Sequence, residues 1–70
     1  MIVRKYFYTK DINGDLWETD LPPFIIDDKI TFECCFEYRK CPENWSKMNL
    51  FKDMKVNETR TIKVKIDENN

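Results

Sequence analysis

The chain has 70 residues, of which 41% are hydrophobic and 36% are charged, and this composition is typical of one small globular domain. Its 12 basic and 13 acidic residues give a net charge of −1, which excludes a global charge that would draw the whole molecule to nucleic acid or anionic lipid. The sequence has no apolar signal region and no apolar run near the roughly 18 residues of a membrane span, so we expect a cytoplasmic protein without membrane contact.

Aromatic residues are the outlier of the composition, at 14% of the chain. Each aromatic side chain can bury roughly 150–250 Å². A domain of this size buries only about 60% of the surface of its unfolded chain. The aromatic side chains can therefore exceed what one small core can hide.

Residues 2–10 form the first predicted strand, because this segment is β-branched and aromatic and contains no strand breaker. Both faces of the strand are partly apolar. The next five residues contain the only glycine of the chain, and the Asn-Gly pair within them favours a type I′ hairpin turn. Residues 16–19 form a short return strand, in which either Leu16 or Trp17 must face outward.

Pro22 and Pro23 remove two backbone donors and predict a crossover segment after this hairpin. Residues 24–26 are expected to pack under the sheet or to add a few edge pairs. The longest predicted strand covers residues 30–40. Apolar and polar residues alternate there with a period of two, so its even-numbered side chains face a core and its odd-numbered ones face outward.

The pattern changes after the long strand. Pro42 suits the first turn of a helix, and apolar residues recur within the following turns, so residues 43–54 are predicted to be helical, with a break near Asn49 as the alternative. Residues 55–58 form a second turn, in which Asn57 is best suited to the left-handed region. Residues 59–67 form the last predicted strand.

These elements predict one α+β domain over residues 1–67, followed by a frayed tail at residues 68–70. The predicted fold is a small four-stranded, mostly antiparallel sheet with one short helix across a face. The alternative is a small SH3-like β-barrel, in which the helix is reduced to a turn or two.

Residues that could support catalysis are few. The chain has no His, so Ser46 and the cysteines have no histidine partner for nucleophilic catalysis. Cys34 and Cys35 are adjacent, so a strand would point their thiols to opposite faces. We expect them and Cys41 to be free thiols, a bridge between Cys35 and Cys41 being the less favoured alternative. The expectation is a protein that is not an enzyme and has no cofactor.

Metal sites have little support either. Three cysteines without a histidine match no zinc spacing. Asp11, Asn13 and Asp15 resemble the start of a calcium-binding loop, but Pro22 stands at the twelfth position, where such loops have Glu. The sequence therefore predicts a hairpin turn and no metal at these residues.

Glu33 and Glu37 share the outward face of the long predicted strand. Four strand residues span about 13 Å, which is too far for a shared acid–base pair. If the long strand and the last strand are neighbours, these carboxylates face Lys63 and Lys65 as cross-strand ion pairs.

Recognition of a larger protein is the function that these features favour. Trp and Tyr concentrate binding energy at interfaces, so we expect the aromatic residues of the first hairpin to contact a partner protein or a second copy of the chain. The alternative is that they complete the small core. Exposed acids are either further contact residues or solubilising charges. The candidate partner-binding residues are Tyr6, Tyr8, Trp17, Asp27, Asp28, Glu33 and Glu37.

The composition also suggests an origin. The chain lacks Ala, Gln and His and is rich in the residues that AT-rich coding favours, such as Lys, Asn and Ile. With the small size, this favours a phage- or mobile-element-encoded inhibitor that occupies a surface of a host defence or replication protein.

The alternative function is a small single-stranded nucleic-acid-binding β-barrel. Arg4, Lys5, Lys63 and Lys65 would contact phosphates, and tyrosines would stack on bases. The near-neutral net charge and the acids expected beside these lysines make nucleic acid the less favoured partner.

Overall fold

The computed structural model describes residues 2–66, which form two antiparallel sheets and one short 3₁₀ helix. Strands β5, β2, β1 and β6 form a four-stranded sheet in that order, and β3 pairs with β4 in a second sheet. The 3₁₀ helix is Glu43–Lys47. The strands are β1 Ile2–Lys10, β2 Leu16–Thr19, β3 Phe24–Ile26, β4 Lys29–Thr31, β5 Tyr38–Lys40 and β6 Thr59–Ile66.

The five residues 11–15 join β1 and β2. The amide of Asp11 donates to the carbonyl of Asp15 at 2.9 Å, and the amide of Gly14 donates to the carbonyl of Asp11 at 3.0 Å. Gly14 has a φ of +84°, whereas Asn13 does not have a positive φ. The predicted turn is therefore in the right place, but its predicted type I′ geometry is wrong. The loop is a type I turn followed by a left-handed glycine.

The core lies on one face of the four-stranded sheet, the face that carries Tyr8 and Leu16. The chain between β5 and β6 crosses this core face and adds Cys41, Phe51 and Met54. The rings of Tyr8 and Phe51 pack with their centroids 4.8 Å apart. The partly buried residues around this cluster are Tyr6, Trp45 and Ile62.

The predicted strand over residues 30–40 is wrong in its middle. The chain forms β4 and β5 near the two ends, and residues 32–37 between them form turns and bends. The amide of Cys35 donates to the carbonyl of Phe32 at 2.9 Å and closes a four-residue turn. Further along, two amides of this segment bond to a carboxylate instead of a neighbouring strand.

The uninterrupted helix predicted over residues 43–54 is wrong, and the chain leaves the helical path next to Asn49, where the sequence left a break open. The 3₁₀ helix ends where Met48 adopts an extended conformation with ψ of 154°. The amide of Lys52 then donates to the carbonyl of Met48 at 2.8 Å within a series of turns. This irregular path lets Phe51 and Met54 both reach the core. Within residues 2–66, no helix is long and apolar enough to cross a membrane.

The four-stranded antiparallel sheet is confirmed, and so is the left-handed Asn57, with φ of +65°. Neither sheet closes into a barrel, so the SH3-like alternative is wrong. β6 follows the predicted last strand as far as Ile66. Asp67 and the predicted frayed tail at residues 68–70 lie outside the described residues.

Strands β5 and β6 form opposite edges of the four-stranded sheet, because β2 and β1 lie between them. The predicted ion pairs of Glu33 and Glu37 with Lys63 and Lys65 are therefore wrong. The error follows from the assumed strand order, which the sequence does not encode in any local pattern.

Strands β1 and β6 extend past the rest of the sheet. β1 pairs with β2 from Phe7 to Lys10, whereas it pairs with β6 from Ile2 to Thr9. Residues 2–6 and 62–66 therefore form a two-stranded projection, which we call the β1–β6 ribbon. The molecule measures 44 × 27 × 15 Å along its principal axes, so it is elongated.

Replacing Phe51 by Ala is expected to destabilise the domain severely. Removing a buried Phe side chain costs about 3–5 kcal/mol, and the free energy of unfolding expected for a domain of this size is about 4–10 kcal/mol. Thermal denaturation followed by circular dichroism should show a large fall in midpoint or no folded baseline. Met48→Ala is the control, because Met48 is exposed. A Phe51→Ala midpoint close to that of the parent chain would contradict the described core.

Candidate protein-binding surface

Residues 20–37 leave the four-stranded sheet between β2 and β5, and we call them the β3–β4 arm. Asp20 ties its two ends together. The Asp20 carboxylate accepts hydrogen bonds from the amides of Phe36 at 3.1 Å and Glu37 at 3.2 Å. The Asp20 amide donates to the carbonyl of Glu37 at 3.2 Å. These bonds fix the backbone at Phe36, although the Phe36 side chain is 88% exposed.

The tip of the arm is a two-residue turn made by Asp27 and Asp28. β3 and β4 pair as far as Ile26 and Lys29, and φ is +49° at Asp27 and +60° at Asp28. Two successive positive φ angles are typical of a type I′ turn, which favours Asn-Gly. Asp tolerates this conformation less well than Gly, and the two adjacent carboxylates repel each other. The tip therefore carries two exposed acids at a cost to the stability of the hairpin.

An aromatic stack joins the arm to the sheet. The ring of Phe32 lies 5.1 Å from that of Trp17 in β2 and 4.3 Å from that of Tyr38 in β5, measured between centroids. The Phe32 and Tyr38 rings are nearly parallel, with an angle of 6° between them. Because side chains alternate along a strand, Trp17 faces away from the core that Leu16 enters. The arm therefore packs over the second face of the sheet.

The arm exposes much apolar surface for so small a domain. Its most exposed apolar side chain is Phe36. A concentration of exposed large apolar side chains in one segment is typical of an interaction site. The other exposed apolar side chains of the arm and of β5 are Leu21, Phe24, Ile25, Ile26 and Tyr38.

The four acidic candidates from the sequence, Asp27, Asp28, Glu33 and Glu37, all lie in the arm and are exposed. None of them forms an ion pair with another residue between positions 2 and 66. The arm contains five acids and a single base, Lys29, which gives it a net charge of −4. The structure thus brings the acidic candidates into the segment that exposes the apolar side chains.

Two of the aromatic candidates border clefts that the arm helps to form. The indole N–H of Trp17 donates to the Asp11 carboxylate at 2.8 Å, and Trp17 lines a cleft of about 270 Å³ with Asp28. Tyr6 is half-buried and lines a cleft of about 240 Å³ with Glu37. The structure therefore brings Trp17 near Asp28 and Tyr6 near Glu37.

Tyr8, the third aromatic candidate, is buried in the core and only 8% exposed. Its hydroxyl donates to the Glu18 carboxylate at 2.6 Å. The sequence left open whether this residue is core or interface, and the structure places it in the core.

Glu18 links three strands on the core face. Arg39 of β5 donates to its carboxylate at 2.8 Å, and the guanidinium lies 5.3 Å from the centroid of the Trp45 ring. The bond from Arg39 holds the pKa of Glu18 below its ordinary value, and the bond from Tyr8 acts in the same direction. Burial, with a smaller contribution from Glu18, raises the pKa of the Tyr8 hydroxyl. The hydrogen bond from Tyr8 to Glu18 thus links β1 to β2 on the core face.

Cys34 and Cys35 occupy the turn after β4, so the prediction that their thiols point to opposite faces is wrong. Their sulfur atoms lie 3.9 Å apart, and the thiols donate to the carbonyls of Pro22 and Leu21. Burial raises the pKa of Cys35, and it raises the pKa of Cys41 to about 11. A thiol with a raised pKa is a poor nucleophile at neutral pH, because the thiolate is the reactive form.

Phe36 and Phe24 are surface residues that no sequence pattern indicated. Phe36 occupies an even position of residues 30–40 and was therefore expected to face the core. The aromatic excess of the composition did indicate surplus apolar surface. The composition carried no information about which rings are exposed. Exposure of a ring depends on where the predicted strand over residues 30–40 is interrupted.

Comparison of the chain with protein-family models, with curated proteins and with solved structures finds no match.

Replacing Glu18 by Gln is expected to change how stability depends on pH. A carboxyl group whose pKa is lowered in the folded state stabilises it above the unfolded-state pKa, here about 4.5. That stabilisation is lost as pH falls through the folded-state value. Glu18→Gln should therefore unfold at lower temperature than the parent chain at neutral pH, and the difference should shrink below pH 4.5. A constant difference across this range would contradict the described network.

The double variant Asp27→Asn/Asp28→Gly is expected to stabilise the hairpin at the tip of the arm. Asn-Gly suits two positive φ angles and removes two like charges. A gain of about 1 kcal/mol corresponds to roughly fivefold slower hydrogen exchange of the β3 and β4 amides. Exchange monitored by NMR gives the measurement, with β1 amides as the internal reference. Equal or faster exchange would show that the aspartates do not strain the turn.

Proposed function

We propose that the chain is a non-enzymatic protein-binding module that uses the β3–β4 arm to occupy a surface of a larger protein. The observation that supports this most directly is Phe36. Its side chain is almost fully exposed, while its amide donates to the Asp20 carboxylate and the next residue, Glu37, forms two further backbone hydrogen bonds with Asp20. An exposed aromatic ring on a fixed backbone loses little conformational entropy on binding, which is what an interface anchor requires.

The chemistry of the partner follows from the charge of the arm. Four exposed carboxylates without an ion-pair partner in residues 2–66 lie in the same segment as the exposed apolar side chains. A complementary surface has an apolar pocket with Lys or Arg around it. The proposed partner is therefore a protein with a basic surface that contains such a pocket.

The strained tip of the arm supports the same proposal. Asp27 and Asp28 occupy a turn that Asn-Gly would stabilise better. Backbone strain that is not needed for folding is concentrated at functional sites. A requirement for negative charge at the tip accounts for aspartates at these two positions.

A more specific version of the proposal concerns biological context. The composition favoured by AT-rich coding and the absence of His are consistent with a phage- or mobile-element-encoded inhibitor. Many host defence and replication proteins bind nucleic acid through basic surfaces. An acidic arm that covers such a surface would inhibit the host protein by competing with nucleic acid for that surface.

The experiment is a pull-down with the tagged chain from a lysate of its native host, repeated with nuclease and at high salt. A retained protein is then purified, and its affinity is measured for the parent chain and for variants. Phe36→Ala is expected to weaken binding about 30-fold or more, because loss of an aromatic anchor costs about 2 kcal/mol or more. Its thermal midpoint should stay close to that of the parent chain, since the ring is exposed.

Two further variants distinguish specific binding by the arm from non-specific binding by exposed apolar side chains. Met48→Ala removes an exposed apolar side chain outside the arm and should leave the affinity unchanged. Asp27→Asn/Asp28→Gly should weaken binding although it stabilises the hairpin. Equal retention of the partner by all variants would contradict the proposal, and so would retention that disappears with nuclease. Recovery of the chain alone would point to self-association.

A further inference from the structure

The β1–β6 ribbon is the most basic part of the molecule. It carries Arg4, Lys5, Lys63 and Lys65, all of them exposed, and it carries no acid. None of these four forms an ion pair with any residue that the structure describes. With the net charge of the chain at −1, the remaining residues together carry −5. Charge is therefore strongly segregated along an elongated molecule.

The arrangement of the lysines does not help the ribbon to fold. Lys5 stands directly opposite Lys63 in the register of β1 and β6, and Lys65 lies on the same face opposite Val3. Like charges directly opposite each other destabilise an antiparallel pair. A ligand with dense negative charge would remove this repulsion.

The fold removes one of the two grounds against nucleic acid, although the net charge of the chain stays near neutral. Glu33 and Glu37 do not neutralise Lys63 and Lys65. These acids belong to the segment before β5, and β5 and β6 are opposite edges of the sheet. The four basic residues of the ribbon are left without acidic neighbours on the adjacent strand.

We infer that the β1–β6 ribbon binds the phosphate backbone of double-stranded nucleic acid. The major groove of B-DNA is about 12 Å wide and admits a two-stranded β-ribbon. Two strands lie about 4.8 Å apart, so long lysine and arginine side chains on the ribbon reach the phosphates at the groove edges. Tyr8 is buried in the core, and Tyr6, the tyrosine of the ribbon, is partly buried against that core, which argues against the single-stranded mode in which exposed tyrosines stack on bases. This inference goes beyond the proposed protein-binding function and concerns a different part of the molecule.

A second role for the same lysines has to be separated from this one. Lysines on an edge strand prevent edge-to-edge pairing between molecules, and Lys63 and Lys65 lie on edge strand β6. If that were their whole purpose, replacing them would cause self-association and would leave binding to nucleic acid unchanged.

The test is fluorescence anisotropy of a labelled duplex of about 20 base pairs, titrated with the chain at several salt concentrations from about 20 mM upward. Each phosphate contact contributes about −0.9 to the slope of log affinity against log salt, so four contacts predict a slope of about −3 to −4. The triple variant Lys5→Gln/Lys63→Gln/Lys65→Gln should lower the slope to about −1 and weaken binding at least tenfold at about 50 mM salt. Its thermal midpoint should not fall, because the substitutions remove repulsion.

The matched control is Lys29→Gln/Lys47→Gln/Lys52→Gln, which removes the same charge from exposed positions outside the ribbon. This control should keep the slope of the parent chain. Equal weakening by both triple variants would overturn the inference, because it would show a response to net charge alone. Absence of duplex binding at the lowest salt would also overturn it, as would preference for single strands.

A further measurement addresses an acidic protein as the alternative partner. Polyglutamate at equal charge concentration should displace little of the bound duplex, and complete displacement would identify an acidic protein as the partner instead. Failure of these tests leaves the role of Phe36 in protein binding unaffected.

Discussion

The hydrogen bonds of Asp20 are the constraint on which the rest of the structure depends. Its carboxylate takes the amides of Phe36 and Glu37, which a continuous strand would have used for pairing. The segment before β5 is therefore released from the sheet. This release creates the small second sheet and leaves Phe36 outside. One short side chain thus determines where the chain leaves the four-stranded sheet and forms an exposed segment.

The length of β1 is the second organising feature. β1 pairs with β2 through its last residues and with β6 over nearly its whole length. The core can therefore lie at one end of the sheet, beneath the turns that carry Phe51, while the other end projects as a ribbon. Acidic and basic side chains are sorted accordingly, with net charges of −4 in the arm and +4 in the ribbon. The molecule therefore carries two segments of opposite net charge.

Local sequence signals predicted the features that depend on local physics. Asn57 was identified because few residues accept a positive φ, and β1, β2 and β6 were identified because their residue types suit a pleated surface. The strand over residues 30–40 had the strongest periodicity and was still wrong, because a bond from Asp20, ten or more positions away, outweighed it. Asp27 and Asp28 were identified as candidate contacts, but the strain at that turn and the exposure of Phe36 arise from tertiary structure. No local sequence pattern indicates either of these two features.

The pairing of β1 with β6 has a consequence for how the chain folds. Thr9 pairs with Thr59 and Ile2 pairs with Ile66, so the central strand acquires its second neighbour from the far end of the sequence. Contacts between such distant positions require closure of nearly the entire chain, which makes them slow to form. During synthesis β1 therefore has no partner on this side until the residues of β6, from Thr59 onward, have left the ribosome. A chaperone or a partner that binds the nascent chain would meet β1 with its β6-facing edge still unpaired.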